Sequence, residues 1–106
     1  MSVFYDHLVG LDDIHNEILE FDLPTRQHYH LLQIVDSTLH HEVLNVILLE
    51  IPVAVHEHFL VEFNNRPGDP AHLDYLKLFR PNIEDKIREA ADGTKTRLIQ
   101  EISSLR

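Results

Sequence analysis

The stretch TRQHYHLLQIVDSTLHHEVLNVILLEI, residues 25–51, runs for 27 positions without proline or glycine, between Pro24 and Pro52. Proline suits the first turn of a helix and breaks its interior, so a proline at each border of such a span outlines one long helix. Leu32, Val35, Leu39, Val43 and Val46 follow one another at steps of three or four and draw a single apolar stripe. From Val43 to Ile51 seven of nine positions are apolar, and Leu44, Ile47, Leu48 and Ile51 add a second apolar face beside the first. A helix apolar on two faces has to be covered on several sides. The β-branched residues here are compatible with a strand, but no turn residue separates them from the helical pattern upstream, so helix is the expectation.

Working outward, Val55, Phe59 and Phe63 recur every fourth position after Pro52, with Leu60 beside them, and predict a short helix that stops near Asn64 and Asn65. Arg66, Pro67 and Gly68 then read as a loop. Asp69 is placed to cap the next helix, with Pro70 at its first position and Leu73, Leu76 and Phe79 on its buried side. Past Pro81, Asn82 is placed to cap a last helix, with Glu84 and Asp85 favourable in its first turn. Ile83, Ile87, Ala91, Thr94, Leu98, Ile102 and Leu105 align along one face of it. Gly93 weakens the interior of that helix by roughly 1 kcal/mol relative to alanine, and a continuous helix is preferred over a break. Before Pro24, Phe4, Leu8 and Leu11 share one helical spacing and Ile14, Ile18 and Phe21 another, with Gly10 as a turn or kink between them.

The expectation is therefore an all-α, compact bundle of about five helices, its helix starts marked by prolines, forming a single domain over residues 1–106. One or two short helices fall in 1–23, the long central helix in 24–51 (helical over about 25–50), short helices in 52–65 and 70–80, and a C-terminal helix in 82–105. There is no internal repeat, sustained heptad register or low-complexity tract.

The Leu23-Pro24 helix start, the run from Val43 to Pro52, Phe59 and Phe63, and Tyr75-Leu76 followed by Pro81-Asn82-Ile83 resemble a family of small all-helical bacterial domains of unknown function, well represented in uncultivated lineages. The resemblance covers roughly residues 10–105 and implies a fold. The family's acidic first turn after the Leu-Pro pair is replaced here by Thr25, Arg26, Gln27 and His28, and the resemblance assigns no catalytic residue.

Composition narrows the function. The chain has no cysteine, which removes disulfides and thiolate metal sites, and nothing at Met1 has the form of a basic, apolar-cored leader, so a cytoplasmic protein is expected. The longest purely apolar run, Val46 to Leu49, is far short of a membrane span. Residues 1–65 hold eleven carboxylates against one basic residue, Arg26, a net charge of −10, whereas residues 66–106 hold eight basic and seven acidic residues. Nucleic acid requires phosphate neutralisation by lysine and arginine, so an acidic surface of this extent argues against it and is compatible with a basic partner or with plain solvation.

Eight of the nine histidines lie in the acidic first 65 residues. Asp36 with His40, and His58 with Glu62, stand four apart and offer an imidazole and a carboxylate on one helix face, two ligands where zinc requires more. No His-x-x-x-His, His-Glu-x-x-His or Glu-x-x-His motif occurs, and His28/His30 and His56/His58 diverge around a helix. Protonation of all eight would move the charge of residues 1–65 from −10 to −2, a basis for pH-responsive self-association. Ser37, Ser103 and Ser104 lie outside any nucleophile motif, the three glycines are solitary, and His15 with Asp12 or His72 with Asp69 reads as local pairing before catalysis. No catalytic residue, metal ligand or cofactor is assigned. The leading expectation is a non-enzymatic protein–protein interaction or self-associating module, with Leu44, Ile47, Leu48 and Ile51 as the partner surface. A His/carboxylate metal-binding or pH-responsive helical protein is the alternative.

Overall fold

A computed structural model describes residues 3–104. Among them the chain forms six α-helices and no strand: α1 (Asp6–Val9), α2 (Leu11–Leu19), α3 (Thr25–Glu50), α4 (His56–Asn65), α5 (Ala71–Lys77) and α6 (Ile83–Ser103), with a 3₁₀ turn (Val53–Val55) leading into α4. At 1.5 Å per residue α3 is about 39 Å long, and it sets the long axis of a body measuring 45 × 23 × 20 Å.

The prolines act as their chemistry dictates. Pro24 takes φ −57° and ψ 148° just ahead of α3, and its carbonyl accepts from the N–H groups of Gln27 and His28. At the far end Ile51 turns extended, φ −118° and ψ 155°, the conformation that a following proline imposes on its neighbour. Helix α3 therefore stops where Pro52 begins. The Asp69 carboxylate accepts from the Ala71 N–H at 2.9 Å and starts α5 as expected.

Helix α6 lies along α3, and α1 and α2 lean on the pair. Val35, Leu39, Val43 and Ile47 of α3, and Ile83, Ile87, Ala91, Thr94, Leu98 and Ile102 of α6, are buried. The α6 face is the predicted one over the described residues, and Leu105 lies outside them. On α3 the stripe moves from Val46, which is half-buried, to Ile47, because from Val43 onward the core-facing line advances by four positions and not three.

Two local expectations are corrected, and the continuous α6 through Gly93 is as expected. The Asn82 side chain accepts no capping hydrogen bond at the start of α6; its backbone carbonyl accepts the ordinary helical bond from the Lys86 N–H at 3.2 Å, and the Lys77 ammonium binds the Glu84 carboxylate of the first turn. On α5, Leu73 and Phe79 are only half-buried, and His72 joins Leu76 in the interior. Gly93 neither breaks nor bends α6 out of register, and a Cβ at that position would meet nothing within 4 Å. Gly10, by contrast, sits at φ 65° between α1 and α2, a left-handed turn that glycine adopts without the Cβ clash other residues suffer.

Candidate functional site

The expected partner face is largely consumed by the fold. Ile47 and Ile51 are buried in the chain's own core, and Leu44 and Leu48 are half-buried against it. The physical reason is geometric: α6 and α2 both pack on α3, and Leu44 and Leu48 lie against the chain's own core, so the second apolar face is covered from within the chain. What stays uncovered is its edge. Leu49 is 75% exposed, Val53 beyond Pro52 82%, and Leu78 at the end of α5 79%.

Leu49 and the chain neighbours of Val53 and Leu78 come together at one pole. A shallow hollow of about 440 Å³ is lined there by Leu49, Glu50, Ile51, Pro52, Phe79 and Arg80, and Val53 and Leu78 are chain neighbours of its lining. Arg80 Nε stands 2.9 Å from Glu50 Oε2 and ties the end of α3 to the approach to α6. Lys77 pairs with Glu84, and Arg88 lies 3.6 Å from Glu84 and 3.4 Å from Asp85; hydrogen bonding to Lys77 holds the Glu84 carboxyl below the usual carboxylate range. Charge at this pole is thus balanced, unlike the acidic α2 and α2–α3 segment, where Asp12, Asp13, Glu17, Glu20 and Asp22 gather.

At the opposite end of α3 a larger hollow, about 680 Å³, opens between the α2–α3 turn and the end of α6, with Phe21, Leu23, Leu31 and Ile102 as its apolar walls and Asp22, Gln27 and His30 at its edge.

None of the anticipated histidine–acid pairs forms in the arrangement expected. Asp36 receives His15 from α2, Nε2 to Oδ1 at 2.6 Å, in place of His40 on its own helix or of Asp12 for His15. Glu62 binds Arg66 at 2.8 Å, and the His58 ring lies against Tyr75 at 5.9 Å between centroids. His72 reaches past Asp69 and donates from Nε2 to the Arg66 carbonyl at 2.6 Å, its ring enclosed by Phe4, Phe59 and Phe63 at 5.4 to 6.1 Å. Two further imidazoles do the same at other corners: His28 donates to the Phe21 carbonyl at 2.7 Å and His56 to the Ile51 carbonyl at 3.1 Å. Each corner therefore has a backbone acceptor satisfied by a ring N–H. Among the described residues no group of three or more histidine and carboxylate side chains converges on a common point.

His40 differs from the others. Its Nδ1 meets the hydroxyl of the buried Tyr5, and its ring stacks on Tyr5 and on Phe63. Burial, aided by Asp6, drives the Tyr5 phenol far above its ordinary range, so the hydroxyl keeps its proton. Burial, reinforced by the neighbouring His41 and opposed by Asp6, lowers the pKa of His40 below 6.5.

Comparison with protein families, curated proteins and solved structures finds no match to this chain. No described helix is long and apolar enough to cross a membrane.

Proposed function

We propose that this protein is a non-enzymatic interaction module, at work in the cytoplasm, that associates with a second copy of itself through the Leu49–Val53–Leu78 pole. The observation that carries this reading is that three large apolar side chains, each at least three-quarters exposed, line or adjoin in sequence one shallow hollow where the surrounding charges cancel. Clustered exposure of this kind favours association, whereas isolated apolar residues on a surface need no explanation. Glu50 and Arg80 give the rim a self-complementary character: in a two-fold arrangement Glu50 of one copy faces Arg80 of the other. The acid-rich segment of α2 lies toward the other end, so end-on pairing keeps the two concentrations of negative charge apart. A protein surface is preferred over nucleic acid because the first 65 residues offer phosphates a single arginine.

Sedimentation of the purified protein over a wide concentration range tests the reading. A concentration-dependent dimer that Leu49→Asp and Leu78→Asp each disperse supports it. A monomer at every concentration, or a dimer indifferent to both substitutions, overturns it.

The pH-responsive reading has its own observation, the Tyr5–His40 contact. The metal-binding reading has weaker ground, since Asp36 and Glu62 are each engaged by another side chain.

A further inference from the structure

The N-terminal segment, residues 3–9, behaves as a plug. It buries Phe4, Tyr5, Leu8 and Val9, and the Phe4 ring lodges among Phe59, Phe63 and His72. The plug is fastened at both ends. At its C-terminal end Lys95 Nζ donates to the Val9 carbonyl at 2.7 Å and the Gly10 carbonyl at 3.3 Å. At its N-terminal end the Phe4 N–H donates to the Pro67 carbonyl at 2.8 Å, and the Tyr5 hydroxyl is hydrogen-bonded to Nδ1 of His40 on α3. Between this segment and the rest of the chain stands Gly10, whose left-handed turn gives the plug a hinge.

We propose that the Tyr5–His40 hydrogen bond is a proton-operated latch on residues 3–9, released by swinging about Gly10 when His40 takes up a proton. The chemistry is local. In the latched state Nδ1 is the acceptor, so the ring carries its hydrogen on Nε2. A proton from solvent that adds to the Nδ1 lone pair converts this acceptor into a donor, while the Tyr5 hydroxyl keeps its own proton. The hydroxyl proton then loses its acceptor and has to turn away in a partly buried place, because the new Nδ1–H can meet only the lone pairs of the Tyr5 oxygen. The groups around His40 divide in their effect. Asp6 of the plug favours the imidazolium, and the Val3 N–H already draws on that carboxylate at 2.9 Å. His41 opposes the imidazolium from α3. Asp36, which lines the same hollow, is engaged by His15 of α2, and α4 presents the Phe63 ring.

The sign follows from the direction of the shift. The plugged form binds a proton less readily than the released form, whose His40 titrates near its ordinary value of 6.5. Latching is therefore at full strength above that pH and weakens as pH falls below it, until the plugged form itself takes up the proton. Over that window the opening constant rises by at most about tenfold per pH unit. The Lys95 fastening engages the Val9 and Gly10 carbonyls and does not involve His40, so the hinge end stays held and only the tip is released.

Hydrogen exchange of the whole chain, with protection corrected for the intrinsic effect of pH and compared at about pH 7.5 and about pH 5.5, is the test. Protection of residues 3–9 should fall several-fold at the lower pH while the centre of α3 keeps its protection. In His40→Asn, which retains an acceptor near the Nδ1 position and does not titrate, protection of residues 3–9 should not fall further. If that variant fails to fold, NMR titration of the unmodified protein serves: the Tyr5 ring resonances should move with the His40 titration. Equal protection at both pH values, a fall that survives in His40→Asn, or Tyr5 resonances blind to His40 would each overturn the proposal. The latch is independent of the apolar pole.

Discussion

Two glycines illustrate how a single residue's role depends on its backbone. Gly10 holds φ 65° at the α1–α2 turn, with the Lys95 ammonium 3.4 Å from where a Cβ would stand. Gly93 sits in ordinary helical geometry with open space around it. Alanine at position 10 therefore meets the left-handed penalty, roughly 1–2 kcal/mol of lost stability. Alanine at position 93 gains about 1 kcal/mol from helix propensity. Urea unfolding of the two variants checks both, and the expected outcomes have opposite signs. Only the second was legible beforehand, because a helical pattern on both sides of Gly93 fixes its conformation, whereas Gly10 stood between two short patterns that a kink or a turn would serve equally well.

Helix α3 shows how far periodicity reaches and where it stops. Its bounds follow from Pro24 and Pro52, and most of its buried line follows from spacing. Of Leu44, Ile47, Leu48 and Ile51, expected as a partner surface, packing buries Ile47 and Ile51 and half-buries the other two, because one sequence states how apolar a face is without stating which neighbours cover it. Ile47 and Leu49 make the contrast testable. Ile47→Ala empties part of a fully buried site and should cost roughly 2–5 kcal/mol, while Leu49→Ala, at a position 75% exposed, should change stability by no more than about 0.5 kcal/mol. Thermal or urea denaturation of the pair distinguishes a core line from an available edge. The histidine contacts were the least legible part. Four-residue spacing proposes partners on the same helix, yet His15, His40 and His72 take theirs from other elements or from a loop carbonyl, which depends on how helices cross.

At the scale of the whole molecule, shape turns the association reading into a second measurement. The body is 45 Å long and half as wide, and the Leu49–Val53–Leu78 pole lies at one end of its longest helix. Pairing through that pole joins two rods end to end, so the largest dimension of the dimer in small-angle scattering should approach about twice that of one chain. Pairing along the flanks would leave the length nearly unchanged. A compact dimer would therefore locate the contact on the sides of α3 and α6 and away from the pole.

The carbonyl-bound imidazoles at the corners have a chemical consequence of their own. A reagent that acylates histidine nitrogen, such as diethyl pyrocarbonate, attacks the ring's lone-pair nitrogen, and the neutral acylated ring gives up the Nε2 proton that fastens the bend. His7, His30, His41 and His58 are open to solvent and should be carbethoxylated first with little change in circular dichroism. His28, His56 and His72 should react late, His72 last of all, and their modification should coincide with loss of helical signal. Mass-mapped labelling against time would thus give the order in which the bends of this chain come undone.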